Sequence, residues 1–93
     1  MNVKIGTGER TGDATVYEVQ VGSDPSATRH KVAVPDRDLA RLAGTASADS
    51  LVAFAFEFLL EREPREAIMR AFDITVIEEY FPEFERMAKK RFG

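Results

Sequence analysis

The sequence contains no cysteine and only one histidine, His30. Without cysteine, the chain can form no disulfide bond and offers no thiolate as a nucleophile or metal ligand. A single histidine without a G-x-S-x-G motif gives no serine–histidine–acid arrangement. It also lacks the companion ligands that a metal site needs at defined spacing. We therefore expect no catalytic, metal-binding or cofactor-binding residues, no cofactor, and a protein that is not an enzyme.

Long apolar runs are also missing. The longest one, LVAFAFEFLL at 51–60, is interrupted by Glu57 and reaches only half of the ~20 residues that cross a bilayer. The N-terminal segment MNVKIGTGER has no basic region followed by an apolar stretch, so it does not resemble a secretory signal. These features predict a cytoplasmic protein with no membrane contact.

Charge of one sign is not concentrated in any part of the chain. There are 13 Lys and Arg against 16 Asp and Glu, and the formal net charge is −3. The lack of a strongly basic segment disfavours generic nucleic-acid binding. The composition that is present, with 44% hydrophobic residues and seven phenylalanines in 93 residues, is typical of a globular chain. We predict a single domain over 1–93, with a β meander at 1–34 and a helical half at 35–93.

The first third of the chain shows the alternation of a β-sheet. Apolar and polar side chains alternate in TVYEVQV and again in RHKVAV, and turn-forming residues separate these runs. The pattern predicts three strands at about 2–8, 14–21 and 29–34. Their short connections favour antiparallel pairing, because parallel strands need a long crossover.

Two features of this β region invite a chemical interpretation. GTGERTG at 6–12 is rich in glycine, but a strand rather than a helix follows it and no Lys-Ser/Thr pair is present. A phosphate loop needs that following helix, so we interpret the segment as a hairpin. His30 falls on the apolar face of its strand, and we interpret it as a sheet-edge residue rather than a catalytic base.

The rest of the chain shows helical periodicity, and the fold class is therefore predicted as α+β. We predict helices at about 36–43, 48–62, 64–72, 74–80 and 82–91. Apolar residues cover most of the circumference of the helix at 48–62, which is typical of a central core helix. Glu57 interrupts its apolar surface, and we expect it to mark the one solvated strip.

The stretch EEYFPEFERM at 78–87 raises the question of whether its aromatic residues belong to the core or to a docking surface. Proline disfavours a helix interior, so Pro82 is interpreted as the start of a separate helix. The apolar spacing predicts that Phe81 and Phe84 are buried. Tyr80 is predicted to be the most exposed aromatic residue.

The acidic residues around these aromatics complete a candidate surface. Glu79, Glu83 and Glu85 are expected to be solvated. We predict that Tyr80, Glu79 and Glu83 form a partner surface. The function favoured by the sequence is a non-catalytic protein-interaction or homo-oligomerisation module, with a protein partner or a second copy of the chain as a homodimer.

The alternative function is DNA binding. The segment RHKVAVPDRDLARLAGTASADSLVAFAFEFLLERE combines a basic alternating strand, a proline-acid helix start and a strongly apolar second helix. In these features it resembles a ribbon-helix-helix DNA-binding module. The resemblance implies an antitoxin-like regulator in which strands from two chains pair and enter the major groove. Arg29 and Lys31 would then contact DNA.

A second resemblance covers the later part of the chain. The run FEFLLEREP, followed by FD and by VIEEYFPEF, is similar to a pattern in short bacterial proteins of unknown function. This resemblance implies a bacterial source and suggests that the helical half is one unit. It carries no activity, cofactor or site residue with it.

Overall fold

The computed structural model describes residues 2–93 as a five-stranded mixed sheet with four α-helices, which confirms the predicted α+β class. The strands are β1 (Val3–Ile5), β2 (Glu9–Thr11), β3 (Ala14–Val21), β4 (Thr28–Pro35) and β5 (Ala71–Asp73), and the helices are α1 (Asp36–Ala43), α2 (Ala48–Leu60), α3 (Thr75–Tyr80) and α4 (Glu83–Phe92). A single 3₁₀ turn occupies Arg65–Ala67. In the sheet, β1, β3, β4 and β5 lie side by side in that order.

The strand predicted at 2–8 is shorter, Val3–Ile5, and β2 follows it on the same edge of β3, within the segment interpreted as a hairpin. β1 pairs Ile5 with Val19, whereas β2 pairs Glu9 with Val16, so the register shifts by one residue between them. This shift is a β-bulge. Gly8 lies in the bulge, where a Cβ atom would come within 2.7 Å of the Tyr17 ring, so this position requires glycine.

β4 lies inside the sheet, paired on both sides. It runs antiparallel to β3 along its whole length and parallel to β5 at 31–33. His30 is only 2% exposed, so the prediction that it is a sheet-edge residue is wrong. The antiparallel pairing of β3 and β4 agrees with the prediction, and the parallel strand β5 was not predicted.

A 3₁₀ turn, an extended connection and the start of β5 occupy 64–72, where the sequence predicts a helix. After the 3₁₀ turn the backbone becomes extended at Ile68, whose ψ is 132°. Lys31 N then donates to Arg70 O at 2.7 Å, and Ile74 N donates to Ala33 O at 2.9 Å. A nine-residue helix is marginal on its own. The segment instead satisfies backbone groups on the otherwise free edge of β4.

α2 is the central layer of the core, as its apolar circumference predicts. On its sheet side, the Phe56 ring lies 5.5 Å from the His30 ring and 6.2 Å from the Phe72 ring. On its other side, Phe58 packs against Phe84 of α4 with ring centroids 5.0 Å apart. Glu57 is exposed, as expected, and forms an ion pair with Arg91 at 3.5 Å.

The chain bends between α3 and α4, as the sequence predicts. Phe81, with φ −133° and ψ 84°, ends α3, and Pro82 precedes the first residue of α4. Phe84 is fully buried. Phe81 is only half-buried, which corrects the prediction, because one side of its ring packs edge-on against Phe58 at 5.8 Å while the other side borders a groove.

Arg41 of α1 connects three helices. Its guanidinium binds Glu78 of α3 in a bidentate manner at 2.7 and 2.9 Å. It also contacts Asp38 at 3.0 Å and Glu85 of α4 at 3.1 Å. Only 8% of Asp38 is exposed, so its charge depends on this arginine for compensation.

Within residues 2–93, no single helix has both the length and the apolar character needed to cross a bilayer. α1 and α2 would meet those requirements only as a pair, and they are bent by 68° relative to each other.

Candidate functional site

An apolar groove opens where the end of α2, the 3₁₀ turn, β5 and α3 meet. Its volume is about 260 Å³, and its main apolar lining residues are Leu59, Ile68, Met69, Phe72, Ile77 and Tyr80. Among residues 2–93, Met69 and Tyr80 are the two large apolar side chains that remain exposed, at 45% and 68%. Both border this opening, which we call the Met69–Tyr80 groove.

Local structure holds Tyr80 at the rim of the groove. Asp73, two residues before the start of α3, fixes the entry to this helix, since its carboxylate accepts hydrogen bonds from Thr75 N at 2.9 Å and from Thr75 Oγ1 at 2.7 Å. Tyr80 is the last residue of that helix, just before the bend at Phe81. The short helix therefore presents Tyr80 to solvent at a fixed position.

One acidic residue lines the groove, and a second lies next to Tyr80 in the chain. Glu63 lines it, and Glu79 is an exposed neighbour of Tyr80 in the chain. Neither of these carboxylates has an ion-pair partner in the part of the chain that the structure describes, whereas Glu61 and Glu78 are paired with arginines. Both free charges are therefore available to a cationic group on a ligand.

The structure separates the predicted partner-surface residues. Tyr80 and Glu79 are exposed together at the end of α3. Glu83 is half-buried and accepts a hydrogen bond from Arg62 Nε at 3.4 Å. The guanidinium of Arg62 lies 3.6 Å above the Phe58 ring, and this stacked position draws Glu83 towards the core. The expectation that Glu83 is solvated is therefore corrected.

Glu85 keeps 40% of its side chain exposed, as expected, and takes part in ion pairs. Its carboxylate binds Lys89 at 2.9 Å and Arg41 at 3.1 Å. These two cations, Lys89 first, hold the pKa of Glu85 below its ordinary value. Glu83 and Glu85 are thus both paired with cations of the same chain, whereas Tyr80 and Glu79 are exposed without such a contact among residues 2–93.

Sequence reasoning missed Met69 and Glu63 as groove residues. Both belong to the connection from α2 to β5, and a helix predicted at 64–72 hides this relation. The available signal was the open edge of β4, because an alternating strand with a free edge needs a neighbour.

A second surface lies on the solvent side of the sheet. Arg29 and Lys31, the two residues of the DNA hypothesis, are exposed there on β4. The structure adds Lys4 of β1 and Arg70, the residue just before β5. These two residues and the two on β4 border one depression of about 410 Å³. We call these four residues the basic face. The sequence did not predict Lys4 and Arg70, because this set forms only through strand pairing.

His30 lies below this surface and is fully hydrogen-bonded. Its Nδ1 atom is 2.7 Å from Met69 O, and its Nε2 atom is 2.8 Å from Thr28 Oγ1. Because a carbonyl oxygen only accepts, Nδ1 donates the first bond. Residues 2–93 hold no cluster of three or more histidine, aspartate or glutamate side chains placed to bind a metal ion. His30 is a structural residue between the two surfaces.

Comparisons with known proteins assign no family to this chain. No protein-family model, curated protein or solved structure matches it. The two surfaces described above are therefore the basis for the functional argument.

Proposed function

We propose that the protein is a non-catalytic interaction module that binds a protein segment in the Met69–Tyr80 groove. The observation that carries the proposal is the location of Met69 and Tyr80, the two exposed large apolar side chains, at the rim of one apolar opening. Exposed apolar patches on a surface commonly mark interaction sites. Aromatic and methionine side chains are enriched at such sites.

The chemistry of the groove selects the partner. A volume of about 260 Å³ accommodates one or two large apolar side chains. The free carboxylates of Glu63 and Glu79 complement a lysine or arginine beside those apolar residues. The partner is thus an amphipathic, basic segment of another protein.

Charge also bears on homodimerisation, the second form of this proposal. A two-fold dimer through the groove would place the same patch of both copies face to face. Glu63 and Glu79 would then approach their own equivalents, and like charges oppose association. We therefore favour a different protein as the partner. We place this interaction in the cytoplasm, because the absence of cysteine fits a reducing compartment.

Two synthetic peptides test this proposal. Both carry leucine and phenylalanine at the same positions, and one has lysine where the other has glutamate at the intervening positions. We expect the lysine peptide to bind in a calorimetric titration and the glutamate peptide not to bind. Sedimentation equilibrium of the protein alone measures any self-association.

Matched variants locate the binding site. Glu63→Gln with Glu79→Gln should weaken the lysine peptide roughly tenfold. Glu9→Gln with Asp13→Asn changes the net charge equally at exposed positions of the β2–β3 hairpin and should have little effect. Tyr80→Ser with Met69→Ser should abolish measurable binding. Equal binding of both peptides, or no effect of Tyr80→Ser with Met69→Ser, would contradict the proposal.

The ribbon form of the DNA hypothesis does not gain support from the strand pairing. A ribbon needs a strand with a free edge for the partner chain, and β4 is paired with both β3 and β5. Arg29 and Lys31 instead extend from the open face of the sheet. Any contact with nucleic acid would use that face rather than the edge of β4.

A further inference from the structure

The basic face is a concentration of unpaired positive charge on a protein whose net charge is −3. Within residues 2–93, Lys4, Arg29, Lys31 and Arg70 form no ion pair, whereas six other lysines and arginines do. All four are exposed. Glu18 is the one acid among the residues that border the depression.

Strand register brings these cations together. Lys4 lies opposite Gln20 of β3, and Gln20 lies opposite Arg29 of β4. Two interstrand spacings therefore separate Lys4 from Arg29 at the backbone, about 10 Å. Lys31 is two residues beyond Arg29, about 7 Å along the same strand. Arg70 is directly beside Lys31, to which its carbonyl oxygen is hydrogen-bonded.

This spacing indicates a ligand with several separate negative charges. The backbone positions of these cations extend over about 10 Å, on β1, on β4 and at the residue before β5, so the face presents several charges side by side. A second copy of the chain is disfavoured, because a two-fold contact would oppose the same cations. The face also lacks a large exposed apolar anchor, since Met69 and Tyr80 border the groove. Protein interfaces normally depend on such anchors.

We propose that the basic face binds the phosphodiester backbone of a nucleic acid without reading its sequence. Lysine and arginine contacts to phosphates release bound counterions, and this release supplies sequence-independent affinity. No phenylalanine, tyrosine or tryptophan borders the depression, and the His30 ring beneath it is only 2% exposed, so base stacking does not contribute. Met69 borders the groove, and Arg70, the next residue in the chain, borders the basic face. Together with the proposed function, this places a basic partner segment in the groove next to a nucleic acid on the basic face.

The salt dependence of binding tests the proposal. The probes are fluorescent oligothymidine of about 20 nucleotides and a duplex of the same length, titrated with the full chain at several salt concentrations. Four phosphate contacts predict a slope of log K against log salt of about −3 for the single strand and about −3.6 for the duplex. The titrations with oligothymidine and with the duplex therefore show whether the face binds single-stranded or double-stranded nucleic acid.

Two triple variants of identical composition form the central comparison. Arg29→Gln, Lys31→Gln and Arg70→Gln together should reduce the affinity at low salt by about tenfold or more and bring the slope near −1. The control removes the same charges at Arg37, Arg86 and Lys90, which are exposed and also unpaired within the described residues but lie on α1 and α4. The control should retain the wild-type slope.

Glu18→Gln provides a gain of binding that damage to the fold cannot imitate. Removal of the one acid from the face should tighten binding by about two- to threefold. Lack of binding to both probes at low salt would overturn the proposal, as would equal loss in the two triple variants. A polyglutamate peptide that binds as well as the oligonucleotides would instead identify an acidic protein as the ligand and also overturn it.

Discussion

His30 Nδ1 lies 2.7 Å from the carbonyl oxygen of Met69, and this hydrogen bond attaches the connection before β5 to the centre of the sheet. His30 is 2% exposed and packs against Phe56. On either side of the bond, Met69 borders the apolar groove and Arg70 borders the basic face. The single histidine thus helps to position both candidate surfaces.

The first prediction concerns this bond. His30→Leu leaves the Met69 carbonyl and the Thr28 hydroxyl without their partner, so we expect a loss of about 2–3 kcal/mol in the free energy of unfolding, measured with urea. Thr28→Val removes only the second bond and should cost about 1 kcal/mol. If the two variants lose the same stability, the bond to Met69 contributes nothing.

The sequence predicts those parts of the fold that local pattern determines. The apolar circumference of α2 indicates its central position, and Pro82 indicates the start of α4. β5 was not predictable in this way, because its extended backbone depends on pairing with β4 rather than on its own composition. The groove and the basic face both include residues next to β5, so neither could be assembled from the sequence.

Among the candidate site residues, too, local sequence pattern predicts some positions, whereas others depend on contacts with distant residues. Tyr80 is exposed, as the spacing of its neighbours predicts. Glu83 is held by Arg62, a residue 21 positions earlier, and local pattern carries no information about this contact. His30 falls on the apolar face as predicted, but its interior position depends on the distant strand β5.

The second prediction concerns Arg41, which joins α1, α3 and α4. Arg41→Met leaves Asp38, Glu78 and Glu85 close together without their shared cation. Because the arginine side chain is 33% exposed, we expect a loss of about 2 kcal/mol rather than the larger cost of a fully buried charge. Arg37→Met, on the same helix but exposed, should change stability by less than about 0.5 kcal/mol.

The effect of Arg41→Met should depend on pH. The pKa of Glu85 is lowered by Lys89 and by Arg41, so this carboxylate stabilises the fold above its ordinary pKa of 4.5 and loses that contribution as pH falls. In Arg41→Met, the Glu85 carboxylate keeps its interaction with Lys89 but loses the stabilisation that it receives from Arg41. The difference between wild type and variant should therefore shrink below about pH 4.5, and a constant difference down to pH 3 would argue against an electrostatic role.

The third prediction concerns Tyr17, a buried residue whose hydroxyl donates to Asp49 at 2.9 Å. Burial, followed by this hydrogen bond, raises the pKa of Tyr17. The protonated phenol therefore stabilises the fold fully below about pH 10, and this stability is lost as pH rises through the pKa of the folded state. Tyr17→Phe cannot ionise and should lose only about 1 kcal/mol at neutral pH. Its deficit relative to wild type should disappear above pH 10 in urea titrations.

The fourth prediction concerns Gly22, which has a φ of +90° and touches Arg65. A Cβ atom there would displace the Arg65 guanidinium from Asp24, so Gly22→Ala should cost about 1.5–2 kcal/mol in urea unfolding, the strain of its φ plus the lost ion pair. Gly12→Ala has a similarly unfavourable φ, +62°, but meets no atom within 4 Å, and it should cost about 1 kcal/mol. In an Arg65→Ala background the two glycine substitutions should cost the same, and a persistent difference would show that the displacement of Arg65 is not the cause.

The last prediction separates residues that hold the fold from residues at the groove. Phe84 is fully buried between α2 and α4, and Phe84→Ala should cost about 3–5 kcal/mol in thermal or urea unfolding. Tyr80→Ser removes an equally large apolar ring that is 68% exposed, and it should change stability by less than about 0.5 kcal/mol. Tyrosine and serine also have similar helix propensities, so α3 itself is not expected to respond. A loss above about 1.5 kcal/mol in Tyr80→Ser would assign this ring to the packing of α3, and the groove would then lack its main aromatic anchor for a partner.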